Sequence, residues 1–287
     1  MLRFIDTTIP VPGLKRELEL LHIADLHLSY ADERDNAVMQ EMSTERIRCF
    51  PGAPHTLELL KEYMRHEDPD YTVFTGDFMD FLSAKNLEAL EDFLKNHCQR
   101  HLYTPGNHDW YCPGEASGSL LQRQRHEQFS RILGGTTDFQ VINAGGVKLI
   151  GMDNAHYRIT QQQLERLESE FAQGVRCLLF FHVPLFAPTL VEAVGKLRRL
   201  PIMAGAEESV LWERVDGQTA PDEITREFYR LVCKKSSPVA GVVAGHMHFT
   251  HEDIFGAGKK QYVSPHCGGE EPQLRRIRLV PEGVTVL

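Results

Sequence analysis

The sequence predicts an α/β protein built from two packed sheets with helices on their outer faces, and three observations lead there. Short apolar runs alternate with helix signals, a hairpin interrupts the alternation, and side chains able to bind metal follow five of the apolar runs. Alternating strands and helices, with hairpins added, are the pattern of sheet layers covered by helices.

The apolar runs at 18–23, 71–75, 102–104, 177–181 and 239–244 have the length of buried strands. After the second run, Ser83 caps a helix that shows Leu87, Leu90 and Leu94 on one face. Residues 138–154, reading DFQVINAGGVKLIGMDN, are two apolar runs joined by Ala144, Gly145 and Gly146, a hairpin signal. Thr160, with Gln163 three residues later, forms a capping box that opens a helix with Leu164, Leu167 and Phe171 facing inward. The end of the chain, from Tyr262, reads as strands and turns. There is no internal repeat, linker or low-complexity tract, so one domain is expected over 1–287. Two segments read as insertions on it: 29–54, rich in charge and Met, and 184–238, with a helix expected at 222–234. Such material builds active-site walls or merely packs the surface.

A chain of 287 residues can bury a substantial core, and 42% apolar with 25% charged residues is ordinary for a globular protein. Lys and Arg number 31 against 40 Asp and Glu, a net charge of −9, which suits poorly a protein that gains affinity by neutralising a phosphate backbone. Nucleic acid is therefore not the expected partner. Asp6 and Pro10 interrupt the stretch where a signal peptide would be apolar, and no run approaches the length of a membrane span, so a cytoplasmic location is expected. Six widely spaced cysteines without a C-x-x-C pair fit reduced thiols.

The chemistry lies in the strings IADLH, TGDFMD, PGNHD, FFHVP and AGHMH, which supply Asp25, His27, Asp77, Asn107, His182, His246 and His248. Each string follows an apolar run. In open α/β sheets ligands collect beyond the carboxyl ends of strands, so residues from 25 to 248 can converge there. Their types and order are those a pair of metal ions needs, and the chain reads as a dinuclear metallohydrolase. Imidazoles, carboxylates and an amide, with no thiolate, leave manganese, iron and zinc all open.

His108 follows Asn107, so its side chain can lie over the substrate side, to stabilise phosphoryl charge or protonate a leaving alkoxide. Asp109 is then expected to orient that imidazole. Asp80 reads either as an acceptor for a ligand or catalytic imidazole or as a cap or loop carboxylate. Asn154, His156 and Arg158, in the loop after the hairpin, are candidate substrate contacts, the Arg suiting a second phosphate or a carboxylate. His251 and His266 could also reach the pocket, Trp110 and Tyr111 either stack on a base or pack, and His22 reads as packed within its strand. Lys196, Arg198 and Arg199 read as a solvated helix face.

Together the five strings resemble the calcineurin-like metallophosphoesterase superfamily, whose signature runs D-x-H, GD-x-x-D, GNH[DE], a single His and GH-x-H. All five blocks are present in order, and the likeness covers residues 20–267. The resemblance implies a four-layer αββα sandwich of two mixed sheets flanked by helices. It also implies that Asp77 bridges two ions, with Asp25, His27 and His248 at one and Asn107, His182 and His246 at the other. His108 takes the catalytic role in the family. Phe81 and Leu82 stand where the protein phosphatase branch carries Arg-Gly, which argues against phosphoserine or phosphothreonine chemistry.

The expected function is hydrolysis of a small phosphomonoester or phosphodiester, a nucleotide-like ester first, by direct attack of a metal-bridging hydroxide, since no Ser or Cys nucleophile motif is evident. A metal-dependent nuclease is the enzyme alternative, which the acidic balance disfavours. A metal-holding scaffold without turnover is the other, and a full ligand set together with His108 argues against it.

Overall fold

A computed structural model describes residues 1–196, 204–205 and 221–283. The first sheet contains β1 (Arg3–Val11), β2 (Leu18–Ile23), β3 (Tyr71–Phe74), β4 (His101–Tyr103) and β11 (Gln273–Pro281), in the order β1, β11, β2, β3, β4. The second contains β5 (Phe139–Ala144), β6 (Val147–Met152), β7 (Cys177–Phe181), β8 (Val239–Ala244), β9 (His251–Phe255) and β10 (Lys259–Val263), in the order β5, β6, β7, β8, β10, β9. Both sheets are mixed. β2, β3 and β4 run parallel while β11 is antiparallel to β2, and β6, β7 and β8 run parallel while β5 closes a hairpin on β6.

Strand periodicity explains why these runs are apolar throughout. Along β7, Leu178 and Phe180 face the other sheet, whereas Cys177, Leu179 and Phe181 face outward into a helix layer. Both faces are buried, so no position is left for a polar alternation. Leu18, Leu20, Val73 and Leu102 of the first sheet meet Leu149, Leu178, Phe180 and Val243 of the second between the layers. Outside the first sheet, α2 (Ala53–His66), α3 (Ala84–His97) and α4 (Leu120–Ile132) bury Leu57, Leu60, Leu87, Leu90, Phe93 and Phe129 against Ile23 and Phe74. Outside the second, α5 (Gln161–Ala172) and α7 (Glu223–Cys233) bury Leu164, Leu167, Phe228 and Val232 against Leu179 and Phe181. The result is the αββα sandwich.

The local signals act as the sequence implies. Ser83 accepts from the Asn86 amide at the start of α3, and Thr160 and Gln163 complete both halves of the box opening α5. Asp222 caps α7, the helix expected within the second insertion. Of that insertion, residues 197–203 and 206–220, Arg198 and Arg199 among them, lie outside the described residues, as do 284–287 of the C-terminal reading. The first insertion holds α1 (Ala37–Arg46), and α6 (Pro188–Lys196) lies in the second. Sequence reasoning passed over β9, which pairs antiparallel with β10, and β1, which pairs in parallel with β11 at the sheet edge, where Pro10 is tolerated. The partner of β1 lies some 270 positions away, beyond any local pattern. No helix among the described residues is long and apolar enough to cross a membrane, and the six cysteines are free.

Candidate metal centre

Parallel β2, β3 and β4 end at Ile23, Phe74 and Tyr103, and β7 and β8 end at Phe181 and Ala244, with the five motif strings immediately beyond. Two of these loops pair with each other after the strands have ended. The amides of Asp25, His27 and Leu28 donate to the carbonyls of Gly76, Asp77 and Phe78, and Asp80 returns a bond to Leu28. To turn their side chains inward, several residues adopt left-handed backbone: Asp25, His27, Asp77, His246 and His248 have φ between 53° and 69°. Tyr157 is the other non-glycine residue of this kind among the described residues. Each such conformation costs on the order of 1–2 kcal/mol, and strain gathered in this way is a mark of functional sites. Two glycines are needed for close approach: a Cβ on Gly106 would stand 2.2 Å from Asp77 Oδ1, and one on Gly245 2.5 Å from Asp25 Oδ2.

All seven predicted side chains converge, in two groups that meet at Asp77. In the first, His27 Nε2 lies 3.1 Å from His248 Nε2, which in turn lies 3.3 Å from Asp25 Oδ1. In the second, His182 Nε2 lies 3.1 Å from both Asn107 Oδ1 and His246 Nδ1. Asp77 Oδ2 is 3.7 Å from His27 Nε2 and 3.2 Å from His182 Nε2. The tautomers argue that this cluster is made for cations. His27 Nδ1 contacts the Asp80 carboxylate at 2.9 Å, and His182 Nδ1 contacts the Thr75 carbonyl at 2.7 Å, so both Nδ1 atoms carry the proton. In the neutral rings, the Nε2 lone pairs then point at carboxylate and amide oxygens. Acceptors facing acceptors need a positive charge between them, and the donor set fits divalent metal.

The charges respond accordingly. Burial would raise the Asp25 and Asp77 carboxyls, but the imidazoles of His248 and His182 hold both below the ordinary carboxylate range. Burial would lower His182, but Asp77 and Asp25 outweigh it and push the ring up to about 9. Burial and the neighbouring His182 push His246 down to about 3. The centre thus draws positive charge even where no ion is bound.

The calcineurin-like phosphoesterase family model matches residues 18–250, most of the chain and all five strings. The chain belongs to that family. It is a metallophosphoesterase, a phosphoric ester hydrolase, of a family that works with two metals. Comparison with curated proteins gave no match. Among solved structures, the chain is similar to a dimetal phosphatase from Danio rerio, at 14% identity and TM-score 0.47, covering 87% of each chain. It is also similar to a 5′-nucleotidase precursor from Thermus thermophilus, at 13% identity and TM-score 0.43, covering 92% of this chain and 54% of that one.

Around the phosphoesterase's cluster, His108 sits on a short 3₁₀ turn and is partly exposed, its amide donating to Asp77 Oδ1 at 2.8 Å. Its Nδ1 is 2.9 Å from the Asp80 carbonyl and 3.2 Å from the Asp80 carboxylate. This corrects the expectation for Asp109. That carboxylate is fully buried and accepts from the amides of Asp77, Met79 and Gly106 and from the Tyr103 hydroxyl, at 2.8–3.0 Å, so it pins the loops and does not touch His108. Backbone amides of the loops after β3 and β4 capture it, and the partner of His108 comes from Asp80 instead. Burial and the Asp77 charge push Asp109 up to about 7.

Asn154 is also corrected. It is buried, its amide spent on both backbone groups of Val183 at 2.7 and 2.9 Å, so it ties the post-hairpin loop to the residue after His182 and offers nothing to a substrate. His156 and Arg158 line a cavity of about 410 Å³ with Trp110, His126, Asp138 and Asp153, and none of the seven clustered side chains is part of its lining. Trp110 packs on Phe129 and donates to Asp153, whereas Tyr111 remains 47% exposed, its ring 6.4 Å from that of His108. His22 is packed, bonded to Ser264 and Thr75. His251 instead pairs with Asp253, and His266 approaches His248 with ring centroids 5.2 Å apart. Sequence reasoning missed Arg46 and Phe50. Both belong to the 29–54 insertion, and both reach the cluster: Arg46 grips Asp80, and Phe50 stacks on His27. Their only sequence signal was membership of a segment that follows a ligand string.

Proposed function

We propose that this phosphoesterase hydrolyses a small phosphomonoester or phosphodiester, a nucleotide-like ester first, at a pair of metal ions. The observation that carries the proposal is the position of Asp77 Oδ2, within 3.7 Å of His27 Nε2 and 3.2 Å of His182 Nε2. A single carboxylate oxygen shared between two imidazole groups is what two adjacent cations require as an anionic link. On this reading Asp25, His27 and His248 hold one ion, Asn107, His182 and His246 the other, and Asp77 both. When bound, such ions supply Lewis acidity that activates the ester and the attacking water.

The chain's own groups do the rest. Asp80 fixes the Nδ1 proton of His27 and so keeps its Nε2 turned to the cluster. The Asp80 carbonyl accepts a hydrogen bond from Nδ1–H of His108, which directs Nε2 to the ester, where the imidazolium form, carrying a second proton on Nε2, would meet phosphoryl charge or give that proton to the leaving oxygen. His156 and Arg158 take the distal end of the ester in their cavity. We read residues 1–287 as one domain, because the inter-sheet core draws on strands from both ends of the chain.

The test is a panel of small phosphomonoesters and phosphodiesters assayed with manganese, iron and zinc in turn. Turnover of at least one small ester with one of these metals is expected. Binding of two ions per chain with no hydrolysis of any ester would overturn the proposal in favour of a non-catalytic scaffold.

A further inference from the structure

Arg46 ends α1, and its guanidinium grips the Asp80 carboxylate twice, Nε to Oδ2 at 2.6 Å and Nη2 to Oδ1 at 2.8 Å. Asp80 is fully buried, and the Arg46 side chain is 30% exposed. The same Oδ1 lies 2.9 Å from His27 Nδ1 and 3.2 Å from His108 Nδ1. One oxygen therefore serves both a member of the cluster and the proposed acid. We infer that Arg46 is a positioning residue, which acts through Asp80 to aim His27 at one of the two metal positions and to hold His108 over the ester. The inference rests on the dinuclear reading above.

The physical need for such a residue comes from the carboxylate itself. The last torsion of an Asp side chain is broad, so contacts through one oxygen leave its plane free to swing. A planar guanidinium that bonds to both oxygens removes that freedom, which a point charge on a flexible stem does not. The surrounding segment is fastened at three places that agree with this role. Asn36 caps α1 and donates to the Pro113 carbonyl at 2.9 Å, in the loop that follows His108. Met39 is buried against Phe81 and Cys112. Phe50, just beyond α1, stacks on the His27 ring with centroids 4.0 Å apart and planes 8° apart, and Cζ of Arg46 lies 5.3 Å from the centroid of the Phe50 ring. The helix is thus tied near His108 at one end and to His27 at the other. An exposed ion pair on a surface helix would need none of these fastenings and would be worth little.

The test uses the full chain with manganese alone as the probe, measuring stepwise affinities by calorimetry, together with kcat and KM on a small ester. Arg46→Met should weaken one of the two manganese sites by roughly 10- to 100-fold, the range for groups that orient a metal ligand, and leave the other within about twofold. It should lower kcat with KM little changed. Arg46→Lys should recover only part of either loss. In a cycle with Asp80→Asn the two effects should be far from additive, since both remove the same contact. Equal loss at both sites, additive effects in the cycle, or a variant that binds and turns over like the parent would overturn the inference. Should Arg46→Met fold poorly, Arg46→Lys in the same cycle decides between these outcomes. If the parent protein does not bind a pair of manganese ions, the same cycle is run with zinc or iron; a parent that pairs none of the three fails the dinuclear reading first, and this inference falls with it.

Discussion

The Nε2 atom of His182, which follows a strand of the second sheet, stands 3.2 Å from Oδ2 of Asp77, which follows a strand of the first. The contact spans the seam between the two sheets, and so does the cluster around it. Asp25, His27, Asp77 and Asn107 come from one sheet, and His182, His246 and His248 from the other. Packing of Leu20, Val73 and Leu102 against Leu178, Phe180 and Val243 therefore sets the geometry of the donors as well as the stability of the fold.

Asp77→Asn tests the shared carboxylate. The amide oxygen can still accept from the His108 amide, the bond that Asp77 Oδ1 now makes at 2.8 Å, so the fold should survive. The negative charge that links the two halves is lost, and metal content should fall at both positions with activity nearly abolished. Metal analysis that finds two ions per chain in the variant would count against the shared role of Asp77.

Removal of metal should also cost stability. Without cations, Asp25 and Asp77 are two buried carboxylates in the midst of left-handed backbone. Ligand held at about 100 times its Kd contributes about 2.7 kcal/mol, and a chain of this size gains roughly 2–4 °C for each kcal/mol. Treatment with a chelator should thus lower the melting temperature by about 5–10 °C, and added manganese should restore it. A melting curve indifferent to chelation would mean that no metal is held.

His108→Ala separates chemistry from binding. The side chain touches Asp80 and the edge of the His27 ring but supplies no donor to either proposed ion, so its loss should spare metal content. As an acid or charge-stabilising group it should be worth about 10²–10⁴ in kcat. Turnover at the parent rate, or loss of metal, would remove it from that role.

Asp109→Asn distinguishes a loop-pinning carboxylate from a catalytic one. Whichever oxygen becomes an amide nitrogen, at least one of the amide protons of Asp77, Met79 or Gly106 loses its acceptor in a dry site. Each such loss costs about 1–3 kcal/mol. The denaturant midpoint should drop accordingly, with metal content falling alongside. A variant of parental stability with only kcat reduced would restore Asp109 to the side of His108.

Much of this was legible because the strings sit where buried parallel strands end, and such strands announce themselves as unbroken apolar runs. CLLFF and VAGVVA are the clearest cases. The helix caps at Ser83 and Thr160 were legible for a similar reason, as their bonds close within three residues. What escaped was long-range or sterically decided. Asp80 and Asp109 each lie within a few residues of His108 or Asp77, and nothing local says which carboxylate turns to the imidazole and which to the backbone. Asn154 resembled a pocket residue by position, yet both of its amide atoms are taken by Val183. Arg46 reaches Asp80 across 34 positions from a helix with no apolar face of its own to reveal it.

Substrate size is the last expectation. A net charge of −9 gives a long phosphate backbone little electrostatic attraction, and nothing like an aromatic-basic stripe leads to the cluster in the sequence. The cavity lined by His156, Arg158 and Trp110, about 410 Å³, is of the size that holds a compact ligand. Small esters should therefore be cleaved far better than single-stranded or duplex DNA at equal phosphate concentration. Arg158→Ala should raise KM for esters that carry a second anionic group by more than it does for those without one, because only the former have a charge for the guanidinium to meet. Robust nuclease activity at physiological salt, lost in Asp77→Asn, would reverse the preference and place a polymer at the metal centre.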